Sequence, residues 1–118
     1  LIKKRKMLDV KVDSLALHEL ELNLKAGNIL IEGRRATPRD IAKFFTDLNR
    51  LLSLYNIEIL PLTCAQIAKA ADLRDKHKLS FYDSHHASSA MLHDSKIIST
   101  DTTYDNIEDL TRIDPYTL

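Results

Sequence analysis

The chain has 118 residues, of which 44% are hydrophobic, and its 17 basic side chains balance 17 acidic ones. This length predicts one modest core and a single domain, and no apolar run approaches the roughly 18 residues of a membrane span. The neutral balance means that nucleic-acid contacts must come from local patches, and the single cysteine, Cys64, excludes an internal disulfide, which favours a reducing, cytoplasmic location.

A basic run, residues 3–6 (KKRK), lies close to the start of a sequence that lacks an initiator methionine. The missing methionine leads us to expect a fragment of a longer protein. Clustered like charges usually form a solvated patch, so we interpret the run in that way rather than as an arm that contacts RNA.

An alternating segment predicts the first strand. Leu8, Val10 and Val12 are spaced by two residues, as in a half-buried strand. Ser14 can then serve as the N-cap of a helix that continues to about Leu30. The apolar stripe of this helix comprises Leu17, Leu20 and Leu24.

Two further helices have capping signals at their starts. Residues 37–40 (TPRD) combine an N-cap threonine, a proline at the first helical position and an acid at the third, and predict a helix to about Leu54. Residues 63–66 (TCAQ) predict a helix to about Lys76, in which Cys64 is a buried or half-buried residue without a catalytic role. The buried face expected for the first of these helices comprises Phe44, Phe45, Leu48, Leu51 and Leu52.

The stretch over residues 79–105 combines a helix start, a short apolar run and acidic residues. Ser80 is the expected N-cap of a helix that runs to about Asp94. Residues 96–100 (KIIST) predict a short buried strand, and Asp101 falls at its carboxyl end. Ligands of open α/β sheets bind at that end of the strands, so we expect Asp101 to be functional.

The remaining segments complete an α/β pattern. Residues 56–62 predict a strand between the second and third helices, residues 104–110 a short helix, and residues 111–114 a final edge strand. Alternation of strands with helices is typical of an α/β fold with a mostly parallel sheet.

Acidic residues fall where these elements meet. Glu19 lies about one and a half turns into the first helix, Asp83 lies in the first turn of a later one, and Asp105 lies one helical turn beyond Asp101. Clustered carboxylates are hard oxygen ligands that suit Mg²⁺ or Mn²⁺, and such a site can activate water against a phosphodiester. The alternative is that these are helix-capping and surface acids.

The chain resembles the PIN domain family and, within it, the VapC-type toxin ribonucleases of bacteria and archaea. The motifs that carry the resemblance are residues 12–20 (VDSLALHEL), 79–83 (LSFYD), 86–87 (HA), 97–101 (IISTD), 104–105 (YD) and 110–115 (LTRIDP). The resemblance implies a three-layer α/β/α sandwich with a mostly parallel central sheet. It also implies a metal-dependent endoribonuclease that hydrolyses RNA, is paired with an antitoxin protein and forms a homodimer.

The same resemblance implies roles for individual residues. Glu19, Asp83 and Asp101 correspond to the catalytic acids that bind Mg²⁺ or Mn²⁺, and Asp105 to an auxiliary acid of the metal site. A further polar residue, Ser99 or Thr100, is expected to steady the site. By the same resemblance, an antitoxin is expected to insert a basic side chain into the acidic pocket.

The sequence departs from the family at its start. The family opens with a strand that ends in Asp-x-Asn or Asp-x-Ser, and neither Asp9 nor Asp13 is a convincing replacement for its aspartate. We therefore expect a single PIN-like domain without its first strand and helix, or a protein that lacks one ligand. The alternative functions are a catalytically weakened remnant or interaction module and a PIN nuclease of ribosomal RNA processing.

The histidines favour no other metal site. The sequence His18-Glu19 begins like a zinc-protease motif, but Leu22 occupies the position of the second histidine. His85 and His86 point about 100° apart on a helix, so we interpret them as packed or surface residues.

Overall fold

The computed structural model describes residues 9–118, so the basic run and Leu8 lie outside the described residues. The chain divides after Leu60 into two units, which we call the N-terminal unit and the C-terminal unit. Each contains helices and a pair of short parallel strands, as expected for an α/β protein. No helix within the described range is long and apolar enough to cross a lipid bilayer.

Over residues 9–60, the N-terminal unit has two helices and two strands, β1 (Lys11–Asp13), α1 (Ser14–Ala26), α2 (Pro38–Leu54) and β2 (Glu58–Leu60). The strands pair in parallel, with Val12 opposite Ile59. Both predicted strands are therefore present but shorter than predicted: Val10 precedes β1, and β2 covers three of the residues 56–62. Lys11 Nζ lies 2.9 Å from Glu58 Oε1 across the pair, and this hydrogen bond raises the pKa of Lys11.

The predicted N-cap of α1 is wrong. Asp13, not Ser14, caps the helix, because its carboxylate accepts a hydrogen bond from the Leu15 N–H at 3.3 Å. Ser14 is instead the first helical residue, and its Oγ is buried without a hydrogen-bond partner among residues 9–118.

Helix α1 is also shorter than predicted. It ends at Ala26 rather than near Leu30, because Gly27 adopts a left-handed φ of 83°. The last carbonyl groups of a helix have no N–H partner within the helix. Here the Gly27 N–H donates to one of them, the carbonyl of Leu24. A glycine has no Cβ to oppose this conformation, so the helix ends here at little cost.

The capping box of α2 is confirmed. Thr37 Oγ1 accepts from the Asp40 N–H at 3.2 Å, and Asp40 Oδ2 accepts from the Thr37 N–H at 2.9 Å, which is the main cause that lowers the pKa of Asp40. The helix ends at Leu54 as predicted. Its predicted buried face is correct only in part: Leu52 is buried, Leu51 is 50% exposed and the other three residues are half-buried. Adjacent helical residues point about 100° apart, so one neighbour had to face outward.

The C-terminal unit contains α3 (Cys64–His77), α4 (Phe81–Met91), β3 (Lys96–Ile98), a 3₁₀ turn (Thr102–Asn106), β4 (Thr111–Ile113) and a last 3₁₀ turn (Pro115–Thr117). Strands β3 and β4 pair in parallel, with Ile97 opposite Arg112. The core cluster of this unit consists of Leu73, Leu79, Ala87, Tyr104, Ile107 and Leu110.

The predicted helix starts in this unit are confirmed. Thr63 Oγ1 accepts from the Gln66 N–H at 3.1 Å, and Ser80 is the N-cap of α4. Helix α4 ends at Met91, before the predicted Asp94, because the chain turns there and residue Ser95 adopts a positive φ of 60°.

Three other expectations for this unit need correction. The strand predicted to reach Thr100 ends at Ile98, which is 39% exposed, so β3 is not a buried strand. The helix predicted over 104–110 is the 3₁₀ turn Thr102–Asn106. Cys64 is exposed, because it is the first residue of α3 and precedes the buried positions of that helix.

Helices α3 and α4 meet through buried polar side chains. Gln66 and His85 are each 2% exposed, and Gln66 Nε2 lies 3.2 Å from His85 Nδ1. Ser88 Oγ donates to the Gln66 carbonyl at 2.8 Å, and Arg74 Nη1 donates to Ser84 Oγ at 2.8 Å. His85 is therefore a packed residue, and these directional bonds fix the position of α4 on α3.

Candidate metal centre

Asp83 lies in the first turn of α4, where the positive end of the helix dipole favours a carboxylate. Ser80 Oγ accepts a hydrogen bond from the Asp83 N–H at 3.2 Å, which fixes that turn. Tyr104 is only 3% exposed, and its hydroxyl donates to Asp83 Oδ1 at 3.3 Å. A core residue thus orients the half-buried Asp83 carboxylate.

Asp101 follows β3 and caps the 3₁₀ turn, as an acid at the carboxyl end of a strand. Its N–H donates to Ser99 Oγ at 3.0 Å, and its Oδ1 accepts from the Thr103 N–H at 2.9 Å. The hydrogen bonds from Thr103, and then the charge of Arg112, lower the pKa of Asp101. The exposed Asp101 side chain is therefore an anion at neutral pH.

The same 3₁₀ turn connects the two aspartates. Asp101 caps it and Tyr104 lies within it, and the Tyr104 hydroxyl reaches Asp83 on α4. The Tyr104 ring is part of the core of the C-terminal unit, so packing fixes the ring while its hydroxyl contacts Asp83. Asp83 thus contacts a residue of the turn that Asp101 caps.

Asp105 lies at the far side of the turn and pairs with an arginine. Arg112 Nε and Nη2 donate to its two carboxylate oxygens at 2.9 and 3.2 Å, and this pair raises the pKa of Arg112. Arg112 Nη1 also donates to the Ser99 carbonyl at 3.1 Å.

Glu19, the remaining predicted acid, lies in the second turn of α1 in the N-terminal unit, and its side chain is half-buried. The chemistry of Glu19, Asp83 and Asp101 fits a hard divalent cation, because all three offer carboxylate oxygens. Within residues 9–118, no group of three or more histidine, cysteine, aspartate or glutamate side chains lies close enough together to hold a metal ion. The structure therefore connects Asp83 with Asp101, and Glu19 is placed in the site by the sequence resemblance alone.

The family model described as "PIN domain" matches residues 2–110. The chain belongs to the PIN domain family. PIN domains are generally nucleases and typically depend on a divalent metal, so membership implies a nuclease-type function. The predicted resemblance is confirmed at the level of the family. No curated protein and no solved structure matches the chain.

The roles of two residues of this PIN domain site were not predicted from the sequence, although both residues lie in motifs that carry the resemblance. Tyr104 and Arg112 both contact an acid from a different element, Tyr104 across 21 positions of sequence and Arg112 across seven. The apolar pattern predicts the burial of a ring, but it does not show where the hydroxyl points. A basic residue in an edge strand is ordinarily a solvent-facing charge, so no signal in the sequence identified Arg112.

Tyr104→Phe should keep the core packed and remove only the hydroxyl that donates to Asp83. We expect the free energy of unfolding to fall by about 1 kcal/mol and metal-dependent cleavage to fall by about tenfold, since the carboxylate loses an orienting partner. Urea denaturation and initial cleavage rates measure the two effects. Tyr116→Phe is the matched control, because Tyr116 is 88% exposed, and it should behave like the wild type. Equal cleavage rates for wild type and Tyr104→Phe would contradict the orienting role.

Proposed function

We propose that this PIN domain is a metal-dependent endoribonuclease of the VapC toxin type, which hydrolyses RNA phosphodiesters. Glu19, Asp83 and Asp101 are the proposed ligands of a catalytic Mg²⁺ or Mn²⁺, and Asp105 is the auxiliary acid. Family membership supports the nuclease chemistry. The observation that carries the proposal is the link from Asp83 through Tyr104 to the turn capped by Asp101.

The protein groups of the site act by holding charge in place. The hydrogen bonds from Thr103 keep Asp101 ionised, and the bond from Tyr104 orients Asp83, so both carboxylates are prepared for a cation. When bound, the cation supplies an activated water and offsets the negative charge that develops on the phosphodiester. None of these residues needs to form a covalent bond to RNA. Asp101 is exposed, so a polymeric substrate can reach this edge of the C-terminal unit.

The proposed partner is an antitoxin protein that inserts a basic side chain among the acids. Within the chain, Arg112 donates to both carboxylate oxygens of Asp105, and this contact supports the proposal that a carboxylate at this edge can accept a guanidinium group. An arginine of a partner can bind the exposed Asp101 in the same way and exclude the cation. We also propose that the protein forms a homodimer, as VapC-type toxin ribonucleases commonly do.

The test of the proposed function is RNA cleavage by the purified chain with and without a divalent cation. We expect endonucleolytic cleavage of single-stranded RNA with Mn²⁺ or Mg²⁺, loss of cleavage with excess chelator and recovery when the cation is returned. Contaminating metal-independent ribonucleases would survive the chelator, which separates them from this activity. DNA of the same sequence is the substrate control. The inhibitor to add is a small DNA-binding protein encoded by a neighbouring gene. RNA that stays intact with both cations, or cleavage that does not increase when Mn²⁺ or Mg²⁺ is returned after the chelator, would contradict the proposal.

A further inference from the structure

The guanidinium group of Arg112 joins three segments of the C-terminal unit. Arg112 itself lies in β4, opposite Ile97 of β3. It donates two hydrogen bonds to Asp105, at the end of the 3₁₀ turn, and one to the carbonyl of Ser99, just after β3. A planar fork of donors makes these simultaneous contacts possible, whereas a lysine carries a single charged nitrogen.

These contacts lie on both sides of Asp101. Ser99 precedes it by two positions and Asp105 follows it by four. The Ser99 N–H also donates to the Ile113 carbonyl at 3.1 Å, and Ser99 Oγ accepts from the Asp101 N–H at 3.0 Å. Arg112 therefore holds both ends of the segment that carries Asp101.

The arrangement also distributes charge between the two acids of this segment. The Arg112 side chain is 17% exposed, and it offsets the charge of Asp105, whose side chain is 49% exposed. Both Asp105 oxygens accept from this one guanidinium group, whereas Asp101 accepts from the backbone of Thr103. Asp101 thus presents its charge to solvent, and Asp105 is committed to a pair within the protein.

We propose that Arg112 is a positioning residue for Asp101, and that Asp105 acts through Arg112 rather than as a ligand of the cation. The inference rests on the proposed function, because the property it explains is the orientation of a carboxylate in the proposed metal site. Partners that orient metal ligands from outside the coordination sphere commonly change metal affinity by about 10- to 100-fold when they are removed. In this proposal, the pair of Arg112 and Asp105 lies outside the coordination sphere and orients the ligand Asp101.

Arg112→Lys tests the inference, because it keeps the charge and removes the fork of donors. We expect Mn²⁺ binding, measured by isothermal titration calorimetry, to weaken by about tenfold. We also expect faster hydrogen exchange at the backbone amides of Asp101 and Thr103, whose hydrogen bonds hold the turn. Arg39→Lys, on the exposed surface of α2, is the matched control and should change neither quantity. Circular dichroism and thermal melting show that each variant is folded at the assay temperature.

Asp105→Asn separates the proposed role of Asp105 from that of a metal ligand. If Asp105 acts through Arg112, its loss weakens Mn²⁺ binding less than Arg112→Lys, because the contact with Ser99 remains, and the double variant binds like Arg112→Lys alone. If Asp105 is itself a ligand, the two effects multiply, and the inference is overturned.

The binding data also separate this inference from the proposed function. The comparison requires that the wild type binds Mn²⁺ and that Asp101→Asn does not. If Arg112→Lys then binds Mn²⁺ as tightly as the wild type, the positioning role is overturned. Faster amide exchange without weaker binding shows a merely structural role and has the same consequence. A wild-type protein that binds no Mn²⁺ contradicts the proposed function, and the inference fails with it.

Discussion

Asp83→Asn should lower metal-dependent RNA cleavage by at least about a hundredfold, because an amide oxygen is a far weaker partner for a divalent cation than a carboxylate. The substitution preserves the shape of the side chain. The backbone N–H of residue 83 can still donate to Ser80 Oγ, and the amide oxygen can still accept from Tyr104. A loss of activity therefore reports the missing charge rather than a disordered helix. Single-turnover cleavage of an end-labelled RNA measures it.

The control must remove one negative charge elsewhere on the same unit. Asp75 is an exposed residue of α3, and Asp75→Asn changes the net charge by the same amount. Its stability should lie within about 0.5 kcal/mol of the wild type, and its cleavage rate should be unchanged. Equal cleavage by Asp83→Asn and Asp75→Asn would show that the charge at position 83 has no part in the reaction.

Local interactions account for what could be predicted from the sequence. Thr37, Thr63 and Ser80 were identified as N-caps because each bonds to a backbone group three residues away, so the relevant partner is visible in the sequence. The misassigned cap of α1 shows the limit of this method. Asp13 and Ser14 are adjacent and both suited to capping, and the end of β1 at Asp13 decided between them.

Burial was predicted less well, because it depends on what each element packs against. The apolar spacing in α2 indicated one buried face, yet Leu52 is buried and Leu51 is half exposed. Exposed Ile98 in β3 follows the same rule: a run of β-branched residues predicts a strand, but its neighbours decide which side is covered. Even the buried Gln66 and Ser88 between α3 and α4 would be surface residues by composition alone.

In the candidate site, the acidic residues could be predicted from the sequence, whereas the long-range contacts that orient them could not. Motif resemblance identified Asp83 and Asp101, and the structure joins them through Tyr104. The contact of Tyr104 with Asp83 joins residues 21 positions apart, and neither periodicity nor spacing reveals such a pair. A pairing between Arg112 and Asp105 requires the parallel alignment of β4 with β3, which is a property of the folded unit.

Asp101→Asn should reduce cleavage by an amount similar to Asp83→Asn, and the double variant should be no slower than the slower single variant. Groups that serve one cation fail together, since the loss of either ligand removes the same activated water. If the two carboxylates had independent roles, two hundredfold losses would multiply to about ten-thousandfold. Rates for the wild type, both single variants and the double variant complete the cycle.

The cycle can be interpreted only if a multiplied loss would be visible. The wild-type rate must therefore lie more than about ten-thousandfold above the background rate without protein, because the expected single losses are about a hundredfold each. Losses that multiply would contradict a shared cation. Losses that do not multiply would mean that Asp83 and Asp101 act on the same step, as their connection through Tyr104 predicts.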